Sequence, residues 1–317
     1  MKKILIFRTD RIGDFLISTP IFSSLKRNFP NSKIDIVCSD LNYNYVKTFS
    51  FFNNSYLYPK FFFKKIIFFF KLSSYDCILV LDGKKRSIYF SLFKSSLVKI
   101  LFTPSKFIKR IFSFFFNKSY FINYNYPKIK LIETFLDDIN CNLEDSDVNF
   151  LRYYENKNLL IKKISFANYV LLNFDEKWIY DTYLKSYSNI EPSVNEFLTF
   201  ISEISKKNNL IISNGFKDNK ILNNHNFLDY IKKKNNIKLE NNIDIFELQL
   251  LIRNCNTIIT CHGAPSHIAS NYNKKIIDII DLSEKDFFES YNFHFKNKIQ
   301  IIRSDFKKTS NLILKNI

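Results

Sequence analysis

The stretch KILIFRTDRIGDFLISTP, residues 3–20, decides how the rest of the chain is read. Lys3 to Phe7 form the short apolar run expected of a buried strand. Arg8, Asp10, Arg11 and Asp14 then gather around a single glycine, Gly13, before a new apolar pattern begins. Charges and a glycine at the carboxyl end of a strand mark the edge where open parallel sheets hold their ligands. Gly13 is expected to turn the chain. A helix is expected to start at Asp14 or at Thr19–Pro20, where Thr19 would cap and Pro20 would fit the first helical position.

The same alternation continues outward. Apolar runs predict strands at Lys3–Phe7, Lys33–Cys38, Asp76–Leu81, Leu97–Phe102, Tyr169–Phe174, Asn209–Ser213, Thr257–Cys261, Lys275–Ile280 and Ile299–Ile302. Helical patterns lie between them at 20–29, 61–73, 129–139, 193–206, 244–253 and 265–272. Continuous apolar strands alternating with helices imply an α/β protein with parallel sheets covered on both faces. The sequence holds only four glycines, Gly13, Gly83, Gly215 and Gly263, and each follows the end of a predicted strand. Two such edges in each half predict two Rossmann-like domains with a site between them. The acidic stretch at 137–158 separates the halves, giving domains at 1–155 and 156–317, with the last helix packing back on the first.

Composition constrains the partners. Of 317 residues, 46% are hydrophobic and 24% charged, enough apolar content for two cores. The net charge is +17. Residues 41–130 carry 16 Lys/Arg against only Asp76 and Asp82, so 16 − 2 = +14 sits in that span. A basic surface of this kind suits nucleic acid, anionic lipid or a phosphorylated glycan. The runs KFFFKKIIFFFK (60–71) and KRIFSFFFNK (109–118) lie within it. They read either as membrane-interface segments or as amphipathic core helices with solvated lysines. No stretch reaches about 18 uncharged apolar residues, so no transmembrane helix is expected. The amino terminus does not read as a secretory signal, because Arg8 and Asp10 interrupt its apolar run. Five cysteines without CxxC spacing are expected to be reduced core residues of a cytoplasmic protein.

Several residues could carry chemistry. Asp14, beside a helix start, could act as a general base or could cap the helix and pair with Arg8 or Arg11. Lys84, Lys85 and Arg86 begin a helix where cations oppose the helix dipole, which hints at an anionic ligand; a solvated turn would look the same. Lys177 follows a strand and could reach a phosphate, while Trp178 reads as packing. Glu247 could bind ribose hydroxyls or lie exposed on its helix. At TIITCHGAPSHIAS (257–270) a strand ends in a glycine turn and a helix starts near Pro265, so free backbone N–H groups suit a pyrophosphate. His262 and His267 flank that turn. Cys261 with two histidines lacks a further ligand cluster, so no metal site is expected.

ILIFRTDRIGDFLISTPIFSSLKRNFP closely resembles the opening of glycosyltransferase family 9, the heptosyltransferase family of lipopolysaccharide core synthesis. The shared pattern is an apolar strand, Arg, a short gap, Ile-Gly-Asp, Thr-Pro, Leu-(Lys/Arg) and Phe-Pro, ending here at Leu25, Arg27, Phe29 and Pro30. CHGAPSHIAS resembles the family's second signature, Asp-(Ser/Thr)-Gly-x-x-His-x-Ala. The resemblance implies a GT-B fold: two Rossmann-like domains with parallel sheets facing a central cleft, acceptor on the first and nucleotide sugar on the second. It implies an inverting, metal-independent transferase with no cofactor and a nucleotide-sugar donor such as ADP-heptose. Asp14 falls on the family's catalytic base, Lys177 near a phosphate-neutralising lysine, and Glu247 on a nucleoside-binding position. The donor side would comprise His262, Gly263, Ala264, Pro265, Ser266 and His267, with Glu247, Asn214 and Gly215. The acceptor side would comprise Arg8, Arg11, Gly13, Lys84, Lys85 and Arg86. The sequence departs from the family in placing His262 at its Asp, Gly263 at its Ser/Thr and Ala264 at its Gly. A backbone anion site survives that change; a side-chain contact from the Asp does not.

The expected function is therefore transfer of a heptose or related sugar to a lipopolysaccharide-type or other cell-surface glycan. A phosphorylated glycolipid is the expected acceptor, met in the cytoplasm or peripherally at the inner membrane. The alternative within the same fold is a non-catalytic or regulatory nucleotide-sugar-binding protein. Nucleic-acid binding leaves both strand-edge signatures unexplained.

Overall fold

The computed structural model describes residues 1–72, 74–123, 125–155, 166–180 and 185–317. The chain divides into two compact units, Met1–Asn156 and Lys157–Ile317.

The first unit contains six strands: β1 (Lys3–Phe7), β2 (Lys33–Cys38), β3 (Asn54–Leu57), β4 (Cys77–Val80), β5 (Val98–Thr103) and β6 (Lys118–Phe121). They form one parallel sheet in the order β3-β2-β1-β4-β5-β6. Its helices are α1 (Ile12–Ile17), α2 (Thr19–Asn28), α3 (Tyr43–Val46), α4 (Phe62–Lys71), α5 (Lys85–Phe93), α6 (Lys106–Phe112) and α7 (Lys128–Asp138). Strands β1, β2, β4 and β5 hold the sheet's centre because Ile, Leu, Val and Phe fill both faces. One face packs on Phe68 and Leu72 at α4, Ile88 and Phe90 of α5, and Phe116 after α6.

The second unit repeats the plan. Strands β7 (Val170–Asn173), β8 (Leu210–Ser213), β9 (Ile237–Glu240), β10 (Thr257–Cys261), β11 (Lys275–Ile280) and β12 (Lys298–Ile302) pair in parallel. Their order is β12-β11-β10-β7-β8-β9. The helices are α8 (Val194–Ser205), α9 (His225–Lys232), α10 (Ile245–Asn254), α11 (Ala264–Asn271), α12 (Lys285–Tyr291) and α13 (Phe306–Lys315). Phe174, Trp178, Phe197 and Phe227 centre its core, and α13 joins that core through Phe306 and Ile313. Counted within each unit, both sheets have the doubly wound order 3-2-1-4-5-6. The direction of winding reverses between β1 and β4 and between β7 and β10. Ligands bind outside the carboxyl ends of strands at such reversals.

Three differences from the sequence reading have physical causes. First, Gly13 does not turn the chain: α1 begins at Ile12, so Gly13 lies inside its first turn, and it is Gly83 that takes a left-handed conformation, with φ 59°. Second, two separate helices form, one starting at Ile12 rather than Asp14 and the other at Thr19. Ser18, not Thr19, occupies the cap position of α2, and the Thr19 hydroxyl donates instead to the Leu16 carbonyl at 2.7 Å. Third, strands β3, β6 and β9 were not predicted. As edge strands they are half exposed, and NSYL, KSYF and IKLE lack a continuous apolar run. Of the two readings open for the phenylalanine runs, α4 and α6 do not match that of ordinary amphipathic core helices. In α4 only Phe68 is fully buried, and no residue of α6 is.

The acidic segment after α7 is integral to the first unit as far as Glu155. Asp147 is completely buried, accepts the Ser23 hydroxyl at 2.7 Å and pairs with Arg27 at 2.7 Å, which clamps the segment to α2. All five cysteines are buried and free. Among the described residues no helix is long and apolar enough to cross a membrane.

Candidate functional site

The carboxyl edge at the β1/β4 reversal is a charged network built on Arg8. Strand β1 ends at Phe7, which leaves the buried Arg8 guanidinium aimed along the edge. Its Nη1 donates to the Leu81 carbonyl at 2.6 Å; Nε and Nη2 donate to the Asp14 carbonyl at 3.0 and 2.6 Å. Arg8 thereby ties the first turn of α1 to the end of β4. Asp10 pairs with Arg8 at 3.3 Å, and its buried Oδ1 accepts no hydrogen bond. Burial pushes the Asp10 carboxyl up to about 7 despite Arg8.

Asp14 stands at the third position of α1. Its Oδ2 accepts the Arg11 N–H at 3.3 Å, and its Oδ1 lies 3.9 Å from Arg8 Nη2. The capping and pairing roles weighed from the sequence are therefore both present. Even so, the side chain is 39% exposed, so the carboxylate remains open to a ligand.

Asp82 organises the β4 side. It accepts the Thr9 N–H, the Thr9 and Ser87 hydroxyls and the Lys84 N–H, at 2.5–3.2 Å. Lys84 Nζ and Arg86 Nη2 both donate to the Thr9 carbonyl at 2.8 Å. Of the three cations at this helix start, Lys84 and Arg86 are thus tied to Thr9, while Arg86 and Lys85 both remain exposed. Gly83 is required here: its φ is +59°, and a Cβ would lie 2.9 Å from the Phe102 carbonyl oxygen.

Lys128 was not singled out from the sequence, where it is one lysine among many. It is buried at the start of α7 with its ammonium 5.5 Å from the Phe102 ring centroid, within electrostatic range of Arg8, Asp10 and Asp14. Burial, reinforced by Arg8, pushes it down to about 7.

At the β7/β10 reversal the second unit builds a different edge. Ser213, Asn173 and Thr260 link three adjacent strands: Ser213 Oγ donates to Asn173 Oδ1 at 3.2 Å, and Asn173 Nδ2 donates to Thr260 Oγ1 at 3.1 Å. Beyond them Lys177 reaches across, its Nζ donating to the His262 carbonyl at 2.8 Å. A Cβ on Gly263 would collide with that ammonium. Gly263 is extended, with φ 163°, so its lack of a side chain matters for space and not for conformation. Helix α11 begins at the next residue, so its amino-terminal dipole and the Lys177 ammonium share one locality. Trp178 is fully buried and donates to the Asn173 carbonyl at 2.9 Å, packing that fixes the Lys177 loop. Arg303, which the sequence did not suggest, braces the same loop by donating to the Lys177 and Ser188 carbonyls at 3.0 Å.

The side chains around the turn are committed inward. His262 Nδ1 and the Ser266 hydroxyl both bond the buried Asp278 of β11, each at 2.7 Å. Asp278 thus anchors the turn from the neighbouring strand through one imidazole and one hydroxyl. His262 also stacks near Phe288, with centroids 4.1 Å apart. His267 is buried against His294 at 3.2 Å, and burial holds its imidazole neutral. Pro265 has no N–H to offer, which leaves Gly263 and Ala264 as backbone donors at the helix start.

The remaining assignments lie on the same edge. Glu247 Oε2 accepts the Asp244 N–H at 3.1 Å, closing a capping box on α10. Asn214 is buried and donates to the Lys217 carbonyl and Asn241 Oδ1. Gly215 has open space where a Cβ would sit, so no close approach explains it. Among the described residues no group of three or more His, Cys, Asp or Glu is placed to hold a metal.

No protein-family model and no curated protein matches the chain. Solved structures do. An Escherichia coli heptosyltransferase, WaaC, solved with ADP, is similar over 99% of this chain and 98% of its own, with a TM-score of 0.70 at 11% identity. A glycosyl transferase family 9 protein from Veillonella parvula is similar over 99% and 91%, with a TM-score of 0.71 at 13% identity. A UDP-GlcNAc 2-epimerase from Methanocaldococcus jannaschii is similar over 100% and 92%, with a TM-score of 0.58 at 12% identity. The chain has the GT-B fold that these proteins share. The two heptosyltransferase-like structures agree with the resemblance read from the two signatures. The epimerase shows that the fold alone does not choose the chemistry.

Proposed function

We propose that the protein is an inverting, metal-independent glycosyltransferase of the heptosyltransferase kind, acting in lipopolysaccharide-type glycan synthesis. The observation that carries this reading is the Lys177 ammonium held over Gly263 at the start of α11. That is a prearranged locality for the diphosphate of a nucleotide sugar, for which ADP-heptose is one candidate. The first-signature residues gathered at the β1 edge support the acceptor half.

In this mechanism an acceptor hydroxyl attacks the anomeric carbon while its proton passes to the Asp14 carboxylate. The bond from that carbon to the diphosphate oxygen breaks, with inversion. Lys177 and the Gly263 and Ala264 N–H groups take up the charge on the departing nucleoside diphosphate. Arg8 acts on Asp14 by fixing the backbone that carries it. A phosphorylated glycolipid is the acceptor that suits the basic first unit, with Lys85 and Arg11 on its approach and the work done at a cytoplasmic membrane face.

Asp14→Asn tests the assignment. Loss of a general base should lower turnover of the donor by about 10²–10⁴-fold while leaving donor binding intact; near-normal turnover sinks Asp14 as base. His262 at the family's Asp position favours the second reading, nucleotide-sugar binding without transfer. Tight donor binding with no turnover in the wild type would establish that reading.

A further inference from the structure

The face of the first sheet that packs on α4, α5 and α6 has an unusual outer surface. Of the 21 large hydrophobic side chains that are exposed among the described residues, 13 lie between Phe61 and Phe115. On α4 and just before it, Phe61, Phe62, Phe63, Ile67 and Phe70 point outward, with Phe63 77% and Phe70 78% exposed. Phe93 at the end of α5 and Leu97 after it continue the surface, and Phe107 of α6 with Phe114 and Phe115 just beyond it extend it further, with Phe114 90% exposed. The three helices form one layer. Phe69 of α4 meets Phe90 of α5 at 5.2 Å, and Tyr89 of α5 meets Phe112 of α6 at 5.9 Å. So many exposed apolar side chains gathered on one helical layer mark an interaction site.

Charge says what covers it. Lys60, Lys64, Lys65 and Lys71 flank the α4 aromatics, and Lys106, Lys109 and Arg110 flank those of α6. The last three, with Ser113 and Phe121, line an open cationic hollow of about 370 Å³. Asp40 pairs with Lys60 at 2.6 Å, but the two acids of the 41–130 span do not offset the rest of this charge. Asp76 accepts the Lys2 and Lys3 N–H groups, and Asp82 is enclosed in the Thr9 network. Aromatic and aliphatic side chains bordered by cations match the two layers of an anionic bilayer surface. Ile67 and Leu97 argue against single-stranded nucleic acid, whose bases stack on rings and gain nothing from aliphatic chains.

We propose that the outer surface of α4, α5 and α6 docks on an anionic lipid bilayer, with the phenylalanines in the headgroup boundary and the lysines on the lipid phosphates. The inference deepens the glycolipid-acceptor reading and rests on it for its purpose; the docking itself is independent of any donor. In a parallel sheet every helix starts at the carboxyl edge. Phe61–Phe63 therefore stand at the same edge as Asp14, where Arg86 lies 5.5 Å over the Tyr58 ring while bonding Thr9. A lipid-borne acceptor would meet the base without leaving the membrane.

The test is co-sedimentation of the full chain with vesicles of phosphatidylcholine alone and of phosphatidylcholine mixed with phosphatidylglycerol. The wild type should pellet with the mixed vesicles, less so at high salt and less so with the neutral ones. Phe62→Ser/Phe63→Ser/Phe70→Ser should lower partitioning about tenfold or more at an unchanged melting temperature, because these side chains touch solvent and not the core. Lys64→Glu/Lys65→Glu should weaken it as well. The proposal is overturned if the wild type stays in the supernatant with mixed vesicles, or if the triple serine variant pellets like the wild type. It is equally overturned if a single-stranded oligonucleotide binds through these residues while vesicles do not. None of these failures touches donor binding, which is measured without lipid.

Discussion

Replacing Gly263 by alanine should separate binding from folding at the second edge. The new Cβ would collide with Lys177 Nζ, while its other near neighbours, Lys177 Cε at 3.6 Å and Pro265 Cδ at 3.7 Å, are at ordinary contact distance. The obstructing atom is the tip of a flexible side chain, so the fold should accept the change for less than about 1 kcal/mol. The ammonium, however, must leave the His262 carbonyl and the space above the start of α11. A charge-assisted hydrogen bond contributes about 1.5–3 kcal/mol, which corresponds to roughly a 10- to 150-fold loss of affinity for a nucleoside diphosphate. Isothermal titration with ADP, GDP and UDP, on wild type, Gly263→Ala, Lys177→Met and the double variant, provides the assay. Both single variants should weaken binding by similar factors, and the double variant by little more than either, since both remove the same contact. If Gly263→Ala binds like the wild type, or if the two effects simply add, Lys177 is not acting at this place.

Other outcomes follow from single residues. Asp147→Ala removes a buried carboxylate bonded to Ser23 and Arg27 and should destabilise the first unit by roughly 2–4 kcal/mol in urea unfolding. Gly83→Ala forces a left-handed backbone and a backbone clash and should cost about 2–3 kcal/mol, whereas Gly215→Ala, with open space around it, should be neutral or slightly stabilising. The pH dependence of the second unit should follow His267 and His294. Burial holds His267 well below its ordinary value and His294 down to about 3, so the unfolded chain binds more protons than the folded one below about pH 6.5. Stability is then fully present above that pH and lost as pH falls, by up to about 1.4 kcal/mol per pH unit for each histidine. His294→Phe should flatten the slope of the urea midpoint between about pH 7 and 5.

Much of this was legible because the central strands carry continuous apolar runs that end abruptly in charge or glycine. The strands at Lys3–Phe7 and Thr257–Cys261 were readable residue for residue for that reason. Gly263 also signalled a true spatial demand, since Lys177 fills the place of its missing side chain. Gly215 and Gly13 gave the same sequence signal without one: the first has room for a side chain, and the second sits in a helix. A glycine after a strand locates an edge but does not say what approaches it. Lys128, Arg303 and Asp278 were invisible for a different reason. Each acts through tertiary placement, on a helix start or a strand far along the chain, and nothing in local spacing distinguishes a buried lysine or aspartate from a solvated one. The meaning of the phenylalanine runs also waited on structure, because the same periodicity serves a helix that turns its aromatic side inward and one that turns it outward.

The direct test of the central claim is a melting-temperature screen of the purified chain against ADP-, GDP-, UDP- and CMP-linked sugars. A ligand that binds only the native state raises stability by mass action, by about 2.7 kcal/mol at a hundred times its dissociation constant. The account predicts that one nucleotide class raises the melting temperature and that Lys177→Met abolishes the rise. No shift across the panel in a folded protein, or a shift that Lys177→Met leaves intact, would contradict it.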